Sequence, residues 1–337
     1  MNYFTNIKNL NESDIKFQLE NNKENKIPLK VSLINALRRI ILTDIPVISI
    51  SESNTHFDLN TSMLNNGILS HRLNLVSIIN SNFIKENYEN INIKLKMLNE
   101  TDDMITYYLK DCHIENVSNS KKIEPNKIFK YPNTPIGNIK PGQSVIMNTK
   151  LIKSTVRETN NASFCPVGTC VYYFDYDKSN KSDNKERFYL KDSIGNPLIY
   201  NFSIESSGQY NPYEIFELSI NILINKLNII KNDLVNKSGI KVILSQSQTV
   251  MKAVDLKIID ENDTLGNLIV QYISLIDKIN YCAYDIVHPL VNNLILRISY
   301  GNNTFSEISE LVVKTVDFLI DFLNKLKQEW VKKTPKK

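Results

Sequence analysis

Soft metal ligands are few and dispersed in this sequence. Cys112, Cys165, Cys170 and Cys282 stand far apart, and His56, His71, His113 and His288 show no paired ligand spacing. A zinc site near Cys165 and Cys170 would need two further soft ligands, and a disulfide framework needs another pattern. The four thiols therefore read as small hydrophobes. An excess of one charge is lacking too, because 40 basic against 36 acidic residues leave +4 over 337 residues. That balance calls for neither nucleic acid nor an anionic membrane as partner. Long apolar runs are missing: residues 45–50 and 312–326 are short or broken by Lys and Asp, below what a bilayer-spanning helix requires. The first residues, with Asn2, Asn6, Asn9 and Asn11, contain no basic segment leading into an apolar one. An intracellular, soluble protein is expected, and the Asn-x-Ser/Thr triplets at Asn60, Asn116, Asn161 and Asn201 then carry no glycosylation meaning.

Catalytic patterns are equally scarce. No Gly-rich phosphate cradle with its Lys and no Ser/His/Asp or Cys/His constellation can be located. Asp175 and Asp177 would project from one face of a strand and are the nearest thing to a carboxylate pair for Mg2+. Residues 178–187 beside them read as a solvated hairpin loop. No active site and no cofactor are expected.

What the sequence does contain is a repeat, sought first because it decides the fold. Ile15, Phe17 and Leu19 alternate as a half-buried strand does, and a charged turn over 20–26 follows. Leu33, Leu37, Ile40 and Ile41 then form a helical stripe from which Arg38 and Arg39 point away. Asp44 and Pro46 stop that helix, and 47–50 reads as a second strand. The same order recurs later: Val254, Leu256 and Ile258 alternate, residues 260–263 make an acidic turn, and Leu265, Leu268, Ile269 and Tyr272 form a stripe. Ser32 and Thr264 sit at equivalent places, where an N-cap hydroxyl is wanted.

Each half ends in a long amphipathic helix. In the first, Asn211 caps, Pro212 takes the first helical position, and Leu223, Leu227, Ile230 and Leu234 make the stripe before Gly239. In the second, a strand through Leu294, Leu296, Ile298 and Tyr300 turns at Gly301. A helix with Ile308, Leu311, Val316, Leu319, Leu323 and Trp330 on one face follows. Two such units have apolar faces of one kind, and burying them against each other is the obvious solution. Residues 237–250 read as the connector, and fusion raises the effective concentration of the two partners. Short strand-like runs at 91–98, 104–109 and 171–175 mark an inserted β-rich domain.

These residues carry a resemblance. The run Leu33-Ile34-Asn35-Ala36-Leu37-Arg38-Arg39-Ile40-Ile41-Leu42-Thr43-Asp44-Ile45-Pro46 resembles the hallmark of the alpha-type RNA polymerase subunits. Ile68-Leu69-Ser70-His71-Arg72-Leu73-Asn74, Ile139-Lys140-Pro141-Gly142-Gln143 and Phe202-Ser203-Ile204-Glu205-Ser206-Ser207-Gly208 are similar to its later blocks, with Asn74 where Gly is usual. The segments Asp263-Thr264-Leu265-Gly266-Asn267-Leu268 and Tyr284-Asp285-Ile286-Val287-His288-Pro289-Leu290 resemble the smaller partner of that heterodimer, archaeal subunit L and the eleventh subunit of polymerase II.

The resemblance implies an α+β protein in which two alpha-type dimerisation units form an intramolecular pseudo-heterodimer, with a β-rich domain inserted in the first. Residues 1–50 plus 201–238 would be the first unit, 51–200 the insert, 239–250 a linker and 251–337 the second unit. Leu33, Leu37, Leu223, Leu227, Ile230, Leu265, Leu268, Ile269, Leu319 and Leu323 are expected at the internal interface. Arg38, Arg39, His71 and Arg72 would dock the second-largest polymerase subunit. The implied function is a non-catalytic assembly platform for the two large subunits and the small ones, with little or no DNA contact, no membrane and no homo-oligomer. A single chain carrying both units looks like the fused subunit of large nucleocytoplasmic DNA viruses, acting in host cytoplasm and virion; otherwise the nucleus is expected. The cysteine cluster that many relatives carry in the insert is missing, so no metal is implied. The other reading is a free-standing nucleic-acid-binding or regulatory factor on the same fold. His288 reads as a strand-end residue, and Lys332, Lys333, Lys336 and Lys337 as a frayed terminus.

Overall fold

The structure, a computed structural model, describes residues 2–21, 27–176, 188–193, 195–247, 252–275, 279–288 and 290–334. The chain begins with β1 (Phe4–Asn9), β2 (Asp14–Glu20), α1 (Val31–Thr43) and β3 (Val47–Ile50). It continues with β4 (His56–Asn60), α2 (Asn66–Asn74), α3 (Asn82–Asn87), β5 (Ile91–Leu98), β6 (Ile105–Tyr108), β7 (His113–Asn116) and β8 (Lys121–Ile123). Then come β9 (Pro135–Ile139), β10 (Ser144–Ser154), α4 (Val156–Thr159), β11 (Val167–Phe174), β12 (Ile199–Ser206) and α5 (Pro212–Asn236). The last part holds β13 (Val242–Gln246), β14 (Val254–Ile259), α6 (Asp263–Ile273), β15 (Tyr281–Ile286), β16 (Asn293–Ser299) and α7 (Phe305–Lys333).

Two four-stranded sheets share one topology. Their orders are β1-β2-β12-β11 and β13-β14-β16-β15, and every pairing in them is antiparallel. In each, an edge hairpin leads to a helix, the other edge strand, the inner return strand and a long helix. The apolar sides of both sheets and of α1, α5, α6 and α7 close into one continuous core. An α+β fold with two dimerisation units is thus built as the apolar patterning requires.

Several boundaries differ from those read off the sequence. β3, expected in the first unit, pairs with β10 and extends the insert's sheet, ordered β3-β10-β5-β7-β8. β11, expected in the insert, pairs with β12 and completes the first unit's sheet. The insert's own core runs from Ile48 to Leu151, so the crossing points fall near Pro46 and just before Val167. Both strands are short apolar runs, and only the available sheet edge decides which partner they take. The connector expected at 239–250 carries β13, whose Val242 lies opposite Ile258 of β14; residues 248–250 lie outside the described residues. The charged turn at 22–26, Asp177, 178–187, Pro289, Lys336 and Lys337 also lie outside them.

Neither expected N-cap hydroxyl acts as one. Asn262 caps α6 by accepting from the Thr264 backbone N–H, whereas α1 starts at Lys30 without a side-chain cap and Ser32 lies inside the helix. Pro-led α5 does begin as its sequence dictates, with the Asn211 side chain accepting from Tyr213 N–H. Gly266 has a packing reason: a Cβ there would lie 2.6 Å from Leu294 Cδ1 and 2.7 Å from Tyr284 Cδ2, closer than carbon atoms approach. The missing side chain lets α6 settle on its sheet. Lys333, expected in a frayed end, instead donates to the Phe4 carbonyl and to Glu329.

Burial raises the Cys112, Cys170 and Cys282 thiols to about 12, which keeps them protonated and unreactive. Cys165 is shifted upward too, by burial against its Val167 carbonyl contact. Among the described residues no group of three or more His, Cys, Asp or Glu has metal-holding geometry, and no helix is long and apolar enough to cross a membrane.

Candidate functional site

The candidate site is the seam where the two units meet. All ten apolar residues expected there are buried in the shared core: Leu33, Leu37, Leu223, Leu227 and Ile230 from the first unit, Leu265, Leu268, Ile269, Leu319 and Leu323 from the second. Each fully buried aliphatic side chain contributes about 1.5–3 kcal/mol relative to exposure, so the seam is held chiefly by desolvation. α1 touches α5 and α6, and α7 touches α5 and α6. The long helices run antiparallel, since Lys327 of α7 meets Glu217 near the start of α5 at 3.5 Å, while Asp317 meets Lys231 near its end at 2.6 Å.

Polar contacts fix the relative placement of the units. The buried Tyr272 hydroxyl on α6 donates to the Pro28 carbonyl at 3.0 Å and accepts from Lys30 N–H at 3.3 Å, supplying the partner that the uncapped start of α1 lacks. Burial pushes that phenol well above its ordinary range, so it stays a neutral donor. An ionic cluster missed in the sequence ties four segments together. Lys226 Nζ of α5 lies 2.8 Å from Asp44 at the end of α1 and 3.1 Å from Glu261 in the β14–α6 turn. Arg157 of α4 reaches Asp44 at 3.6 Å, Glu261 at 3.4 Å and the Asp260 carbonyl. Burial works against the Arg157 charge, but Glu261, Asp44 and Asp260 outweigh it and raise the guanidinium above its ordinary value. The cluster has no local sequence signature, because its members come from the first unit, the insert boundary and the second unit.

The two ends of the seam carry matching latches. Glu329 near the end of α7 accepts from Tyr3 and Phe4 N–H at 2.9 and 3.0 Å, holding the start of edge strand β1. Asp233 near the end of α5 accepts from Lys241 and Val242 N–H at 3.1 and 2.7 Å and from the Ser238 hydroxyl, holding the start of edge strand β13. Each long helix therefore grips the edge strand of the opposite unit. Burial alone would raise the Asp233 carboxyl, yet Ser238 and the backbone N–H groups hold it below the ordinary carboxylate value. A depressed folded value stabilises above the unfolded pKa of about 3.9 and is lost as pH falls through the folded one. Asp233→Ala is expected to cost about 1–3 kcal/mol at pH 7 by orphaning buried donors. That deficit should shrink below pH about 4, as read from urea midpoints of both chains at the two pH values.

The four residues expected to dock a large subunit lie on two elements, Arg38 and Arg39 on α1, His71 and Arg72 on α2. Arg38 and Arg39 are half-buried on α1; Arg38 donates to Asn35 Oδ1 at 2.9 and 3.1 Å and faces Cys170 and Tyr172 of β11. His71 and Arg72 are exposed on α2 against the insert's core, with Arg72 donating to the Pro135 carbonyl at 3.1 Å. Asn74, closing α2, has ordinary backbone geometry, and its carbonyl accepts from Ser49 at 3.0 Å. His288 accepts from Leu290 N–H at 3.1 Å. Asp175 accepts from Asn201 at 2.7 Å.

Comparison with known proteins agrees with this geometry. The family described as "RNA polymerase Rpb3/Rpb11 dimerisation domain" matches residues 29–227, more than half of the chain, and a second description of the same domain matches 253–329. The chain is also similar to a protein of Dictyostelium discoideum named "DNA-directed RNA polymerases I and III subunit rpac1". The two are 27% identical across 62% of this chain and 78% of that relative.

Proposed function

Because this chain belongs to the RNA polymerase Rpb3/Rpb11 dimerisation domain family, we propose that it is a fused platform subunit, on which the large subunits of a DNA-directed RNA polymerase assemble. The coarser part of that statement, an Rpb3-like and non-catalytic polymerase subunit, follows from the family and the relative. The finer part rests on one observation: both dimerisation domains lie in one chain, and α1, α5, α6 and α7 bury their faces in a single core. A pair of units that is already joined needs no bimolecular encounter before it can be built upon. It presents a pre-organised surface, which limits the ordering cost of docking.

On this reading Arg38 and Arg39 offer planar donors to carboxylates or carbonyls of the second-largest subunit, and His71 with Arg72 forms a separate contact on the insert. The largest subunit and the small subunits would complete the complex. The fusion is of the kind found in large nucleocytoplasmic DNA viruses. We expect the double substitution Arg38→Glu, Arg39→Glu to leave the melting temperature unchanged, because both side chains reach solvent. Recovery of the large subunits with the tagged chain should fall about tenfold or more, as when a hot-spot pair is reversed. Undiminished recovery would remove these arginines from the docking surface.

A further inference from the structure

The two ends of the α5–α7 seam are equivalent in topology but not in filling. Register matches them: Phe4 lies opposite Leu19 and Phe17 opposite Phe202 in the first sheet, as Val242 lies opposite Ile258 and Leu256 opposite Leu296 in the second. The latching carboxylates match too, so Trp330, next to Glu329, corresponds to Leu234, next to Asp233. At the first end Trp330 fills the space under the edge strand. Its ring lies 4.7 Å from that of Phe216, 4.8 Å from Phe17, 5.0 Å from Phe4 and 6.0 Å from Tyr213, and its Nε1 donates to the Tyr213 carbonyl at 3.0 Å.

At the second end the corresponding positions are Leu234, Val242 and Leu256, with Ser306 and Ser309 in place of Tyr213 and Phe216. None of these five positions is aromatic; the aromatic residue lining this end is Phe305, which stands where the first unit has Pro212. An open groove of about 1200 Å³ lies there, between the end of α5, β13 and the start of α7, with Leu234, Val242, Ser306 and Ser309 in its wall. Val235, Ile240, Ile243 and Phe305 are exposed around it, an apolar surface of the kind that marks a contact site. The groove is continuous with the buried interface between the units, since Leu234 and Val242 belong both to the shared core and to its wall.

We propose that this groove is a docking site for an aromatic side chain carried on a segment of another polymerase subunit, which completes from outside what Trp330 completes within the chain at the opposite end. Three features support that occupant. The closed end shows which chemistry fits beneath an edge strand of this fold, namely an indole with its N–H on a carbonyl at the start of the facing helix. The open end leaves a helix start, at Phe305 and Ser306, in the same relation to the missing ring. Large aromatic anchors seated in desolvated pockets also carry most of the energy of subunit contacts.

The proposal rests on the polymerase-subunit reading, and the test separates the two. Tagged chains bearing Leu234→Trp, which fills the groove from inside, or Ile243→Asp, which sets a carboxylate on its exposed rim, are expressed in place of the unaltered chain. Recovery of the large and small subunits should fall about tenfold or more with each, at equal amounts of folded tagged chain. A photo-crosslinker replacing Ser306 in the purified complex should attach to a Trp-, Phe- or Tyr-bearing peptide of another subunit. Failure of the unaltered chain to recover any polymerase subunit would overturn the functional reading. Full recovery with Ile243→Asp, or crosslinks only to a second copy of this chain or to none, would overturn the groove proposal alone.

Discussion

Trp330→Ala is expected to lower the unfolding free energy by about 3–5 kcal/mol, the range for removing a fully buried large aromatic side chain. The side chain is 1% exposed and touches both units at once, since it belongs to α7 yet is surrounded by Phe4, Phe17 and Phe216 of the first unit. Its loss leaves a cavity whose walls come from β1, β2 and α5, elements held by their own ladders and helix bonds and unable to collapse inward freely. The indole hydrogen bond to the Tyr213 carbonyl is lost as well. Trp330→Phe keeps much of the apolar volume and loses the hydrogen bond, so it should cost distinctly less. Urea unfolding of the three chains checks the order, and a Trp330→Ala chain as stable as the parent would mean that this end of the seam is not closed by the indole.

The second large effect belongs to the ionic cluster. Lys226→Glu would leave three carboxylates, those of Asp44, Glu261 and the new residue, around Arg157, with Asp260 and its partner Lys241 at the exposed rim. The existing Lys226, Asp44 and Glu261 side chains are 16%, 9% and 15% exposed, so water does little to screen the change. Breaking such a buried pair costs about 3–5 kcal/mol because the abandoned charge stays desolvated. Lys231 and Asp317 meet at a shorter distance, 2.6 Å, but are 33% and 46% exposed; there the same reversal should cost no more than about 1 kcal/mol. Burial, and not distance, decides the ranking. Pairing Lys226→Glu with Glu261→Lys should restore much of the loss, and thermal melts of the single and double variants would show it. Equal costs at Lys226 and Lys231 would mean that the cluster is screened like a surface pair.

Much of this protein could be read from local pattern. The stripes of α1, α5, α6 and α7 and the alternation of β2, β14 and β16 each depend on residues a few positions apart, and the ten residues expected at the internal interface are all buried. Reading failed where the partner is distant. β3 and β11 each took the sheet edge that their apolar runs alone could not choose. The connector at 239–250 hides β13, whose Ser245 and Gln246 face solvent, and nothing near Asp233 in the chain marks it as the acceptor for N–H groups beyond its own helix.

The sequence by itself determined which faces are apolar, and therefore that two like units must cover one another, because hydrophobic periodicity is a local property of the chain. Only the tertiary structure decided how they do so. It brought Asp44, Arg157, Lys226 and Glu261 into one buried cluster, crossed the two latches between units, and filled one end of the seam with Trp330 while leaving the other open. Those outcomes depend on how helices and sheets of given length meet in three dimensions, where residues far apart in the chain compete for the same space and the same charge.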